Sequence, residues 1–176
     1  MDEVIDYFIK EPEREFHVRQ LAKLTKKSPT TISKYLTKLK KQSLLVSSKK
    51  YRHLLYKANS EGFEFKDLKR YYNVQKLRKS GLLDFLLDEF NNPEVIVLFG
   101  SYGKGEDSMK SDIDILIVTP IRKAVKLEKF EKVLEHTIQV FTHSRTEIEQ
   151  MKASNKELLN SMVDGIILAG HWELFR

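Results

Sequence analysis

The most constraining stretch of the 176-residue chain begins at Val95. Five consecutive apolar residues, Val95 to Phe99, run straight into Gly100-Ser101-Tyr102-Gly103-Lys104-Gly105. A short continuous apolar run is what a strand buried on both faces requires. The glycine- and serine-rich segment that follows can turn tightly and present backbone N–H groups. A second run, Asp112-Ile113-Asp114-Ile115-Leu116-Ile117-Val118, opens with two aspartates two residues apart. Side chains two apart on a strand face the same way, so Asp112 and Asp114 project together while Ile113 and Ile115 turn inward. Adjacent carboxylates repel unless a cation lies between them. Mg²⁺ takes one or two carboxylates and shares its other positions with substrate phosphates, which makes Mg²⁺ the expected cofactor and a ligand carrying phosphates its expected companion. A P-loop is excluded, because Gly-x-x-x-x-Gly-Lys-Ser/Thr is absent.

The rest of the second half alternates in type. Lys126 to His136 reads as an amphipathic helix, Thr137 to Thr142 as a third strand, and Ser144 as the cap of a further helix. Glu157 to Val163 continues in helix, and Gly165 to Ala169 reads as a last strand.

Charge sets the first half apart. Residues 1–60 carry 14 Lys/Arg against 6 Asp/Glu, and from Phe16 to Ser60 there are 12 basic residues and no acid. A solvated surface ordinarily mixes both signs, so the segment is expected to meet a polyanion. Asp2 to Lys10 and Val18 to Leu24 read as short helices. Ser28-Pro29 starts a third that runs to about Gln42, with Ile32, Tyr35, Leu36 and Leu39 as its buried stripe. Leu44 to Lys57 reads as two strands around a polar centre, Ser47-Ser48-Lys49-Lys50. Phe65 to Lys79 is helical and highly charged, with Leu68, Tyr72 and Leu77 as candidate anchors, and Ser80 reads as the cap of another helix.

Three helices and a hairpin, the third helix basic, resemble the winged helix-turn-helix transcriptional regulators. That resemblance implies double-stranded DNA as partner, with the third helix in the major groove and the hairpin on the backbone. The candidate contacts are Thr30, Thr31, Ser33, Lys34, Thr37, Lys38 and Lys41 on the helix, and Lys49, Lys50 and Arg52, with Tyr51, on the wing. Winged helices also serve as dimerisation modules, so a homodimer is the alternative use.

Gly100-Ser101 with Lys104, then Ser111-Asp112-Ile113-Asp114, resemble the polymerase-β-like nucleotidyltransferases, especially the minimal nucleotidyltransferase subfamily. Gly165-Ile166-Ile167-Leu168 resembles that family's closing strand. The resemblance implies that Asp112 and Asp114 hold Mg²⁺ and that Gly100, Ser101, Lys104 and Ser111 bind the nucleotide. It implies transfer of a nucleoside monophosphate to a protein or nucleic-acid hydroxyl, and a HEPN-type toxin is a partner of some relatives. The family usually places a third carboxylate on the third strand, where this chain has Gln139 in Ile138-Gln139-Val140-Phe141. Gln139 therefore stands as a catalytic-position residue whose amide oxygen can touch a metal without adding charge. Three alternatives stay open: a nucleotidyl-transferring regulator, a nucleotide-sensing or dimerising one, and an RNA-modifying enzyme.

The expected fold is α+β in two domains. Residues 1–60 form the winged helix-turn-helix, 61–92 a helical connector, and 93–176 a mixed sheet with flanking helices. The chain has no cysteine, which excludes disulfides and thiolate chemistry, and no apolar run of membrane-spanning length. A cytoplasmic protein with no membrane partner is the expectation.

Overall fold

The computed structural model describes residues 3–50 and 53–172. The chain divides into two compact units, 1–69 and 70–176.

The first unit opens with α1 (Glu3–Lys10), whose buried stripe is Val4, Ile5, Phe8 and Ile9. A two-residue strand, β1 (Phe16–His17), leads directly into α2 (Val18–Thr25). His17 caps α2, its Nδ1 accepting from the Gln20 N–H at 3.1 Å, and Lys26 ends it in the left-handed region. Next comes α3 (Pro29–Lys41). Ser28 accepts from the Thr31 N–H and Pro29 takes the first turn, as the Ser-Pro pair predicts. Ile32, Leu36 and Leu39 are buried, whereas Tyr35 is only half-buried. Two strands follow, β2 (Leu45–Lys50) and β3 (His53–Ala58), in a three-stranded antiparallel sheet of order β1-β3-β2.

One expectation is corrected here. Ser47 to Lys50 are not a turn but part of β2, in register with Tyr56 to His53. The polar residues suit a strand with one solvated face, so polarity alone does not mark the reversal. Residues 51 and 52, and with them the wing candidates Tyr51 and Arg52, lie outside the described residues.

The division between the units falls within α4 (Phe63–Lys79). Of the three anchors expected there, Leu77 is buried while Leu68 and Tyr72 are half-buried. In the second unit α5 (Leu82–Glu89) follows after Gly81, which sits at φ +76°. Ser80 still serves this start, its Oγ accepting from the Leu82 N–H at 3.2 Å. Next come β4 (Val95–Phe99), α6 (Gly100–Lys104), β5 (Ile113–Val118), α7 (Glu128–Leu134) and β6 (Ile138–His143). The last elements are α8 (Arg145–Ser154), α9 (Lys156–Val163) and β7 (Ile166–Gly170). Ser144 and Glu147 close a capping box at the start of α8.

The sheet order is β6-β5-β4-β7, with β5 parallel to β6 and the other pairs antiparallel. Helices cover both faces. Ile113, Ile115 and Ile117 pack with Leu82 and Leu86 of α5, Phe90, Tyr102, and Phe130 and Leu134 of α7. Leu116 and Val118 pack on the other face with Ile148 and Met151 of α8 and Leu159 and Met162 of α9. Much of the stretch expected as a connector thus lends core side chains to this sheet: Leu77, Leu82, Leu83, Leu86 and Phe90 belong to the first cluster. This α+β arrangement of a mixed sheet and flanking helices fits a nucleotidyltransferase fold.

Candidate functional site

The site is built where β4 ends and β5 begins. Phe99 is the antiparallel partner of Asp114, so the chain leaves β4 beside that carboxylate. Gly100 turns at φ +67°, and a Cβ built there would overlap the Asp114 carboxylate oxygen Oδ2. Only glycine permits both the backbone and the approach. Gly103, one turn on, seats α6 against β4, since its Cβ would lie 2.7 Å from the Leu98 carbonyl oxygen. Ser101, second residue of α6, is half-buried, and Lys104 at its end is exposed.

Asp114 alternates with Leu116 along β5 and so belongs to the α8–α9 face, at its open end. Asp112 stands just before the strand begins. Burial and then the charge of Asp112 raise the Asp114 pKa. The two aspartates therefore act on one another, as their spacing predicts. Gln139 is the parallel partner of Asp114 on β6. Its amide nitrogen donates to Asp112 Oδ2 at 2.5 Å. A carboxylate only accepts, so the Gln139 N–H is the group that faces it. Among the described residues no group of three or more His, Asp and Glu is placed to hold a metal ion. The donor set is two carboxylates with one amide. That fits a single Mg²⁺ completing its shell on phosphate oxygens, and does not fit a carboxylate-rich pair of ions.

Ser111 closes the loop between α6 and β5. Its Oγ accepts from the Ser108 N–H at 2.9 Å, and its carbonyl accepts from His136 Nδ1 at 2.8 Å. The neighbouring Glu135 ends α7 at φ +61° and lies 4.0 Å from Lys76. Two further polar residues here carry no obvious sequence signal. Asn73 of α4 and Asp107 of the loop are both buried and joined by a 2.7 Å hydrogen bond. A hint exists in Asn73, since asparagine is a poor interior residue for a helix. Neither of the clefts between Phe85 and Lys129 and between Phe90 and Arg145 includes the aspartate pair.

The basic candidates of the first unit are arranged on α3 and β2. Thr30, Thr31, Ser33, Lys34, Thr37, Lys38 and Lys41 are all exposed. Thr31 shares its hydroxyl with Ser28 at 2.8 Å, and Thr37 donates to the Ser33 carbonyl at 2.9 Å. Lys49 is exposed on β2. Lys50 is ion-paired with Glu15 at 2.8 Å, and Lys57 with Glu13. Hydrogen bonds from Lys50 and from Lys57 lower the pKa values of Glu15 and Glu13, respectively. The acid-free segment therefore meets acids that precede it in sequence.

No helix among the described residues is long and apolar enough to cross a membrane. Residues 79–164 match the family model of the nucleotidyltransferase domain. That span covers β4, α6, β5 and β6, and so contains Gly100, Ser101, Asp112, Asp114 and Gln139. No curated protein and no solved structure matches the chain.

Proposed function

We propose that this protein, carrying a nucleotidyltransferase domain over residues 79–164, binds a Mg-nucleoside triphosphate at Asp112 and Asp114 and transfers a nucleoside monophosphate to a protein or nucleic-acid hydroxyl. The observation that carries this reading is the meeting of three features at one strand end. The Gly100 turn, the start of α6 and the aspartate pair all lie between the end of β4 and the first two residues of β5.

Asp112 and Asp114 would hold Mg²⁺, which when bound supplies positive charge against the carboxylates and the triphosphate. The chain's own groups do the rest. Gly100 and Ser101 present backbone N–H groups and a hydroxyl to phosphate oxygens, and Lys104 adds an exposed positive charge. Ser111 holds the loop that leads into Asp112. Gln139 orients Asp112 through its N–H and leaves the site without a third carboxylate to take the proton of an attacking hydroxyl. Transfer by this chain is therefore slow relative to binding.

That last point favours a second reading, a nucleotide-sensing regulator whose response is binding itself. In either case the first unit is the DNA-binding half, a winged helix-turn-helix with α3 as the reading helix. Its exposed hydroxyls and amines on α3 support this use, and a homodimer on paired half-sites would follow from it. A HEPN-type toxin is the protein acceptor to test, and structured RNA the rival substrate.

The experiment is incubation of the protein with each labelled nucleoside triphosphate, Mg²⁺ and cell extract, beside direct binding. Label on an acceptor supports the enzyme. Binding without label supports the sensor. Neither in the wild type, or both unchanged in the Asp112→Asn, Asp114→Asn double variant, sinks the site.

A further inference from the structure

Asn73 of α4 is 2 % exposed although polar, as is Lys69 one turn before it. Its Nδ2 donates to the Tyr102 carbonyl at 2.9 Å and to Asp107 Oδ1 at 2.7 Å. Both amide hydrogens are thus spent on the segment that joins the Gly100 turn to the aspartate pair. Asp107 is itself 7 % exposed, and a buried carboxylate is costly unless donors face it. The Tyr102 carbonyl lies in the last turn of α6, just before Gly105 leaves the helix at φ +70°.

The far end of the same segment is held separately. His136, between α7 and β6, donates from Nδ1 to the Ser111 carbonyl and packs edge-on against Tyr102, ring centres 5.3 Å apart. Within the loop, the Ser108 N–H bonds Ser111 Oγ at 2.9 Å. The segment 102–111 is therefore clamped at its start and middle by α4 and at its end by the α7–β6 corner.

We infer that Asn73 is a positioning residue of the nucleotide site: by fixing Tyr102 and Asp107 it sets the Gly100–Ser101 turn against Asp112 and Asp114 before any ligand arrives. The inference rests on the nucleotide reading given above. Asn73 lies upstream of the span that matches the nucleotidyltransferase domain, so that span alone lacks this support. A site assembled in advance does not charge the ordering of its loop to the ligand.

The test uses the full chain with magnesium and ATP, GTP, CTP and UTP in turn. Amide hydrogen exchange and equilibrium binding are measured on wild type and on Asn73→Ala. The variant should exchange faster across 102–111, keep slow exchange in β4 and β5, and bind the preferred triphosphate roughly tenfold more weakly. Unchanged exchange across 102–111 overturns the inference. Faster exchange with an unchanged dissociation constant also overturns it, because the residue is then merely structural. Wild type binding none of the four overturns the nucleotide reading and the role built on it, and is seen before any variant is compared. Should Asn73→Ala not fold, Asn73→Asp is compared with the Asn73→Asp, Asp107→Asn pair, which restores a hydrogen bond of reversed polarity. The pair should bind more tightly than the single variant, and equal binding overturns the inference.

Discussion

Gln139 and Asp114 face each other across β6 and β5, and they make opposite demands on the aspartate pair. Gln139 gives Asp112 a proton donor, while Asp112 makes ionisation of Asp114 harder. Replacing Gln139 by Asp removes the donor and adds a carboxylate. Gln139→Asp should speed nucleotidyl transfer without a comparable gain in nucleotide affinity. General-base help is worth about 10²–10⁴-fold, so single-turnover labelling has the range to see it. Wild type turning over as fast as the variant would show that another group already supplies what is missing. Asp114 yields a pH prediction as well. Its folded pKa lies above the unfolded one, chiefly through burial, so the folded state holds that proton more tightly. Stability is therefore lost as pH rises through the folded value, and regained below the unfolded one. Asp114→Asn should raise the melting temperature of the metal-free protein at neutral pH, and the gain should vanish in acid. An equal gain at both ends of a pH series counts against burial as the cause.

At the scale of elements, α3 shows what local sequence can and cannot say. Its start is written in two adjacent residues, Ser28 and Pro29, and its buried side in Ile32, Leu36 and Leu39. Leu36 is fully buried, and Leu36→Ala should cost about 2–5 kcal/mol in denaturant unfolding. Lys34 and Lys38 are exposed, so Lys34→Ala with Lys38→Ala should leave unfolding unchanged. Duplex DNA binding should weaken in that pair. Its log–log salt slope should flatten by about 0.9 for each phosphate that is no longer neutralised. An unchanged slope would place the reading surface off this helix. The partners of β2 are another matter. Lys50 meets Glu15 from 35 residues away, and nothing near either residue announces it. Strand polarity likewise misleads at Ser47 to Lys50, because a solvated strand face and a turn share a composition. The same limit hid Asn73, whose partners lie 29 and 34 residues further along the chain. The nearness of Asp112 to Asp114 was legible because side chains two apart on extended chain fall on one side, although Asp112 precedes the strand itself.

The molecule as a whole joins a basic first unit to a second in which residues 79–164 match the nucleotidyltransferase family model. Composition reported the charge asymmetry, and the Gly-Ser and Asp-Ile-Asp spacing pointed to the fold of the second unit. Neither reported that residues 77–90 help to build its core, since a helix apolar on several sides does not say what it packs against. A ligand that binds only the folded state stabilises it by mass action, by about 2.7 kcal/mol at a hundredfold excess over Kd. Mg-nucleoside triphosphate should therefore raise the melting temperature of wild type, and Asp112→Asn with Asp114→Asn should abolish the rise. An equal rise in both proteins would put the nucleotide elsewhere.

The gap at Gly100 separates two quantities that most site variants confound. Asp→Asn changes remove charge and keep shape. A methyl group at Gly100 would do the reverse, since it enters the volume of the Asp114 carboxylate and displaces it while removing no charge. Gly100→Ala also meets an unfavourable φ, so its effect on ligand-free stability must be subtracted first. What remains reads how closely the turn must approach the acid, with the number of charges unchanged and only the place of the Asp114 carboxylate altered.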